Sequence, residues 1–229
     1  MKKINFIICL FVAITATAQT TISKDLGDFT ILKVYNGIEI ELIKSDIQKL
    51  EITGEKSEMV KIKNVDGTLK LSLPFSLKPE NNSAEGKILI TLYYSKNIDI
   101  IDANEGATIT GKDFTQNKVE VNAQEGAFIN LVVNVSYLSV KASSGGIIKL
   151  SGTAKTQDVD LDLYANYHGF NLKVSGNSDV KAGTGAKAEI MAGDTLSAKV
   201  SFGGSIFYKG KPEVLKDKKV IGGVIQKRD

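Results

Sequence analysis

Ile98-Asp-Ile100-Ile-Asp-Ala-Asn104-Glu-Gly106-Ala107, Val119-Glu-Val121-Asn-Ala-Gln124-Glu-Gly126-Ala127 and Leu138-Ser-Val140-Lys-Ala-Ser-Ser144-Gly145-Gly146 are three versions of one pattern. An apolar-x-apolar pair puts two side chains on one face of an extended strand. The glycine and its polar neighbour then supply the positive φ of a tight turn. Three further pairs continue the series, Val159-Leu161, Val180-Ala182 and Ala198-Val200, so the first members lie 21, 19, 21, 21 and 18 residues apart. Gly106, Gly126 and Gly146 read as equivalent, as do Gly183 and Gly203. A unit this short cannot bury its own apolar face and must stack on its neighbours. The repeat therefore predicts an all-β chain, a β-solenoid of the parallel β-helix kind with six aligned coils over residues 98–229.

Upstream, residues 19–97 show short alternating runs: Ile38 to Leu42, Leu50 to Ile52, Val60 to Ile62, Leu69 to Leu73 and Ile88 to Leu92. Asn36-Gly37, Thr53-Gly54 and Asp66-Gly67 mark the reversals, and Pro74 to Gly86 reads as one long loop. This part is expected to form a strand-rich N-terminal cap of the same domain. A sandwich or barrel of hairpins is the alternative architecture. No stretch after the signal shows a helical period, and Pro212 to Lys219 is the one place where a helical turn could form.

The chain begins like an exported protein. Lys2 and Lys3 precede an apolar run from Ile4 to Ile14, and Ala16-Thr17-Ala18 fits a cleavage site, which defines residues 1–18 as a signal peptide. The run is shorter than the ~20 residues that span a bilayer, so no transmembrane span is expected after cleavage. The only cysteine, Cys9, lies inside it, leaving a mature chain without disulfide or thiolate chemistry. Removing Lys2 and Lys3 takes Lys and Arg from 29 to 27 against 26 acids, so the formal charge falls from +3 to +1. A near-neutral chain argues against nucleic acid as partner. The expected location is the periplasm, the outer-membrane surface or the medium.

Chemistry is sparse. His168 is the single histidine, Arg228 the single arginine, and tryptophan is absent. The fourth unit departs from the repeat by carrying Tyr164, Tyr167 and His168 where a glycine turn is expected. With Phe170 these residues form a candidate aromatic shelf for a ligand such as a sugar. Asp158, Asp160 and Asp162 alternate along one strand and could attract Ca²⁺, but strand spacing keeps them ~6.6 Å apart. Glu105 and Glu125 fall on successive turns, where solvent screens them. No catalytic residue, cofactor or metal is assigned. A polysaccharide-active enzyme would instead need outward carboxylates and a lysine converging on one groove. The basic residues Lys216, Lys218, Lys219, Lys227 and Arg228 read as a solvated tail, with contact to an anionic surface as the alternative.

Phe29-Thr-Ile-Leu-Lys-Val34, Asn36-Gly-Ile-Glu-Ile-Glu-Leu42, Leu50-Glu-Ile-Thr-Gly54 and Val65-Asp-Gly-Thr-Leu-Lys-Leu71 follow one another in a characteristic order. Together with Phe202-Gly-Gly-Ser-Ile-Phe-Tyr-Lys-Gly-Lys-Pro212 they resemble the bacterial DUF2807 family, the auto-transporter adhesin head GIN domain, common among exported proteins of Bacteroidota. The resemblance implies a β-solenoid-like fold from about Phe29 to Gln226, an adhesin-like role and no established catalytic residues. The resulting expectation is a non-enzymatic binding or envelope-structural module for a surface, glycan or protein ligand. A polysaccharide lyase or hydrolase on a β-helix is the alternative.

Overall fold

The structure, a computed structural model, describes residues 21–229, so the expected signal sequence lies outside the described residues. Strand makes up 61% and helix 3%, and the chain winds into a β-solenoid of about seven turns. The N-terminal strands are β1 (Ile22–Asp25), β2 (Ile31–Val34), β3 (Glu39–Lys44), β4 (Lys49–Thr53), β5 (Lys61–Val65), β6 (Thr68–Ser72) and β7 (Leu89–Tyr94). The coils begin with β8 (Ile100–Ala103) and three long strands, β9 (Thr108–Ala123), β10 (Phe128–Ala142) and β11 (Ile147–Leu161). They end with β12 (Asn166–Val174), β13 (Asn177–Ala182), β14 (Lys187–Met191), β15 (Thr195–Ser201), β16 (Ser205–Lys209), β17 (Val214–Val220) and β18 (Val224–Lys227).

Two parallel faces enclose one core. The first face runs β6, β2, β8, then the C-terminal halves of β9, β10 and β11, then β13, β15 and β17. The second runs β7, β3, the N-terminal halves of β9, β10 and β11, then β12, β14, β16 and β18. The strands expected as a cap are built into the stack out of sequence order: β2 and β3 lie between β6 and β7 on one side and β8 and β9 on the other. Antiparallel strands close the N-terminal end, β5 on β6 and β4 on β7, with β1 on β4.

Successive coils are joined at their tips. Gly37 N–H donates to Glu105 O, Gly106 to Glu125, Gly126 to Ser144, Gly145 to Leu163, Tyr164 to Thr184 and Gly185 to Phe202, at 2.9 to 3.2 Å. This ladder corrects the equivalences read from spacing. Gly145 and Gly185, rather than Gly146 and Gly183, stand beneath Gly126 and above Gly203. Gly146 matches Ala127 instead, and a Cβ there would sit 2.1 Å from Ala123 O of the coil before. In the fourth unit Leu163 and Tyr164 adopt the left-handed pair, φ 47° and 62°, that a polar residue and glycine adopt in the second and third coils.

Alternation fills the core, but two registers differ from the apolar pairing. Val121 pairs with Ile101, not Ile100, because Ile98 is held outside the ladder by hydrogen bonds between its backbone and the Gln116 side chain. Leu138 pairs with Gln157, so the fourth pair is displaced by two residues along the same face. Gln157 is a buried polar residue: its Nε2 donates to Ser178 Oγ at 3.0 Å, and Tyr167 Oη donates to its Oε1 at 3.3 Å. Buried polar atoms are stable only when partnered in this way. Tyr167 fits because Gly169 leaves its ring room, where a Cβ would lie 2.6 Å from the ring. The next coil reverses the sizes, with Ala188 opposite Tyr167 and Ile190 opposite Gly169.

The seventh coil, β17 with β18, escaped the apolar pattern. Residues 214–220 form a strand instead of a helical turn. Register aligns Leu215, Asp217 and Lys219 with the buried Leu196, Ala198 and Val200. Charges at core-facing positions of a last strand end the stack and guard its open edge. Of the basic residues read as a tail, Lys216, Lys218 and Lys219 are therefore in β17 and Lys227 in β18, with Arg228 just after it.

Three substitutions test this packing. Gly146→Ala should destabilise the fold by about 3 kcal/mol, since a coil must move, whereas Gly126→Ala, with open space and φ +73°, should cost about 1 kcal/mol. Tyr167→Phe should cost ~1–2 kcal/mol by stranding Gln157 Oε1. Urea unfolding of the three variants checks both: equal losses for the two glycines would contradict the coil contact, and a neutral Tyr167→Phe would contradict the buried network.

Candidate functional site

With the inward side chains committed to the core, the outward rows of the first face remain. Two cavities of about 370 and 200 Å³ share Asp160 and Asp162 and together form one trough beside the tips. Its walls come from five adjacent strands: Glu120 and Asn122 of β9, Lys141 of β10, Asp160 of β11, Lys181 of β13 and Lys199 of β15. Five strands at ~4.8 Å spacing make it about 19 Å long. Ser143, Gly183 and Ser201 line it near the tips, and their small size contributes to its depth.

The trough carries ordered charge. Lys141 Nζ meets Glu120 Oε2 at 2.8 Å, and Asn122 Nδ2 donates to Glu120 Oε1 at 3.0 Å. Burial alone would push the Glu120 carboxyl up, but these bonds and the charges of Lys141 and Lys118 outweigh it and hold it below its ordinary value. Asp162 is also held low, chiefly by the backbone N–H of Leu163 at 2.9 Å and then by that of Thr184 at 2.7 Å. Asn122 Oδ1 is buried without a hydrogen-bond partner. Carboxylates accept, lysines donate, and amides do both, so the trough offers complementary partners to a polyhydroxylated ligand.

The predicted shelf is dispersed. Tyr167 points into the core, fully buried, and burial keeps its phenol protonated. This placement takes it out of any surface contact, because a strand's alternate residues face opposite sides. His168 therefore points outward on the second face, where Nδ1 meets Glu189 Oε2 at 2.9 Å and Lys187 Nζ meets Glu189 Oε1 at 2.5 Å. Phe170 lies nearby under Lys209, 5.3 Å from its ring centroid. Tyr164 alone remains at an exposed tip beside the trough, its ring over Gly185. Asp162 spends one oxygen on backbone, so the three aspartates do not converge, and among the described residues no group of three His, Cys, Asp or Glu is placed to hold a metal. Glu105 sits at its tip with Oε2 accepting from Asn36 Nδ2 at 2.5 Å.

Glu120, Lys141, Lys181 and Lys199 were not singled out from sequence. The signal is present once register is known: Asn122, Lys141, Asp160, Lys181, Lys199 and Lys218 form one outward row. The tips show a second trend. Asn36, Glu105, Glu125 and Ser144 hold the first left-handed position in four earlier coils, whereas Leu163, Phe202 and Ile221 hold it later, at φ 47°, 49° and 52°. Left-handed backbone costs a bulky L-residue roughly 1–2 kcal/mol, and Asn tolerates it best.

The comparisons follow the fold. A crystal structure of "a putative adhesin" from Bacteroides fragilis NCTC 9343 is 21% identical, with TM-score 0.83 over 93% of this chain and 98% of that one. A "putative lipid binding protein" from Parabacteroides distasonis ATCC 8503 is 18% identical, with TM-score 0.71 over 93% and 98%. A further "putative adhesin" from Parabacteroides merdae ATCC 43184 is 20% identical, with TM-score 0.68 over 93% and 97%. At such identities these proteins share the fold. None of the curated proteins matches. Among the described residues no helix is long and apolar enough to cross a membrane. Residues 28–212 match the family described as "Putative auto-transporter adhesin, head GIN domain", and the chain belongs to that family, DUF2807.

Proposed function

We propose that this protein is an exported, non-enzymatic, adhesin-like module that holds a glycan in the trough of its first face. The charged and amide side chains of the trough, Glu120, Asn122, Lys141, Asp160, Lys181 and Lys199, set side by side as donors and acceptors on five strands, are the observation that carries this reading. Rigid strands lose little freedom on binding, so polar contacts convert efficiently into affinity. The family description and the adhesin names of two structural neighbours support the adhesin-like class. The signal-like N-terminus supports export.

An enzymatic reading has one observation in its favour, since Glu120, Asp160, Asp162 and Lys141 meet in one groove. A glycosidase, however, needs one carboxyl raised to serve as general acid. Glu120 and Asp162 are shifted the other way.

A glycan array on the purified protein should find an oligosaccharide ligand, and calorimetry should show Asp160→Ala and Lys141→Ala weakening it by about tenfold, as expected for charged hydrogen bonds. Affinity should stay level from about pH 7 to pH 5, because Glu120 and Asp162 titrate below the ordinary carboxyl range. Binding with release of new sugar ends, abolished by Glu120→Gln, would make the enzyme the correct reading. Equal affinity of all variants would remove the trough from the function.

A further inference from the structure

The turn edge of the last coils combines two costs, exposed apolar side chains and left-handed backbone. Leu163, Tyr164, Phe202 and Ile221 are 46%, 68%, 58% and 69% exposed, and all four have left-handed backbone. Earlier coils meet the same backbone demand with Asn, Glu or Ser. A row of exposed apolar side chains marks a contact site.

Charge identifies the partner. Residues 181–229 contain ten Lys and Arg against five Asp and Glu, a net +5, whereas residues 21–180 contain 17 against 21, a net −4. The apolar tips thus border the basic end, with the outward Lys199 three residues before Phe202 and the outward Lys218 three before Ile221. Apolar tips flanked by cations match an anionic lipid surface, which accepts the tips at headgroup depth and attracts the lysines.

We propose that the tips Leu163, Tyr164, Phe202 and Ile221 dock this protein onto an anionic lipid bilayer. Four coils at ~4.8 Å spacing give a ridge only about 14 Å long, too small for a stable face between two copies, which takes about 800 Å² from each. Leu163 and Ile221 have no ring to stack on a sugar, which disfavours a glycan at this edge. Phe75 and Leu77 are also exposed, but on a loop at the acidic end and without left-handed backbone.

Flotation of the purified protein with phosphatidylcholine vesicles, with and without phosphatidylglycerol, tests the proposal. Binding is expected only with phosphatidylglycerol and should weaken as salt is added. The double variant Phe202→Asn/Ile221→Asn should bind about tenfold more weakly. It should melt no lower than the parent, because Asn accepts left-handed backbone. As the chain has no tryptophan, Phe202→Trp gives a single reporter whose emission should shift to the blue on vesicles. No vesicle binding at low salt, undiminished binding by the double variant, or an unshifted reporter would each overturn it. So would a dimer in sedimentation, or a soluble glycan complex, that the double variant abolishes.

Discussion

Every coil must offer the same backbone to the coil on either side, and the tip-to-tip hydrogen bonds from Gly37 to Phe202 impose that condition. The bond forms only where the tip is left-handed and the neighbouring backbone can approach closely, as Gly146 does against Ala123 O. Coil length is nevertheless not constant. The differences are absorbed at the opposite bend, where register shifts occur between Leu131 and Val133 and between Lys149 and Ser151. Keeping the tip ladder continuous and the bend irregular lets units of unequal length share one stack.

Once backbone and inward side chains are committed to stacking, chemistry is left to the outward rows and the tips. The trough is a product of that division, because residues far apart in sequence become neighbours at strand spacing. Glu120 and Lys141 are bonded partners on adjacent strands. The same division explains why the single histidine has an outward partner, Glu189, while the tyrosine beside it serves the core. Charge follows coil position as well, turning from acidic to basic along the stack, and the apolar tips gather at the basic end.

Much of the fold was legible in the sequence because its two signals are local. Alternation of Val119 with Val121, or of Leu138 with Val140, depends only on which face of a strand is buried. The Asn36-Gly37 and Asp66-Gly67 turns depend only on backbone sterics. The errors share one cause, a side chain whose role is set by a distant partner. Gln157 is a polar residue in a core-facing register, and its burial beside Ser178 and Tyr167 displaces the fourth apolar pair by two residues. Lys219 looked like part of a solvated tail, and the core-facing register it shares with Asp217 is apparent only from Val200 and Ala198 alongside.

By itself the sequence determined an all-β chain, a stack of coils of about twenty residues, and a set of shorter strands upstream, because alternation and turn chemistry act within a few residues. Only the tertiary structure decided which glycines form the ladder, that β2 and β3 lie within the stack, and that Tyr164, Tyr167 and His168 part to a tip, the core and the second face. It alone assembled the trough, since a shift of one or two residues in register changes which side chains meet across strands, and register is a property of the whole stack.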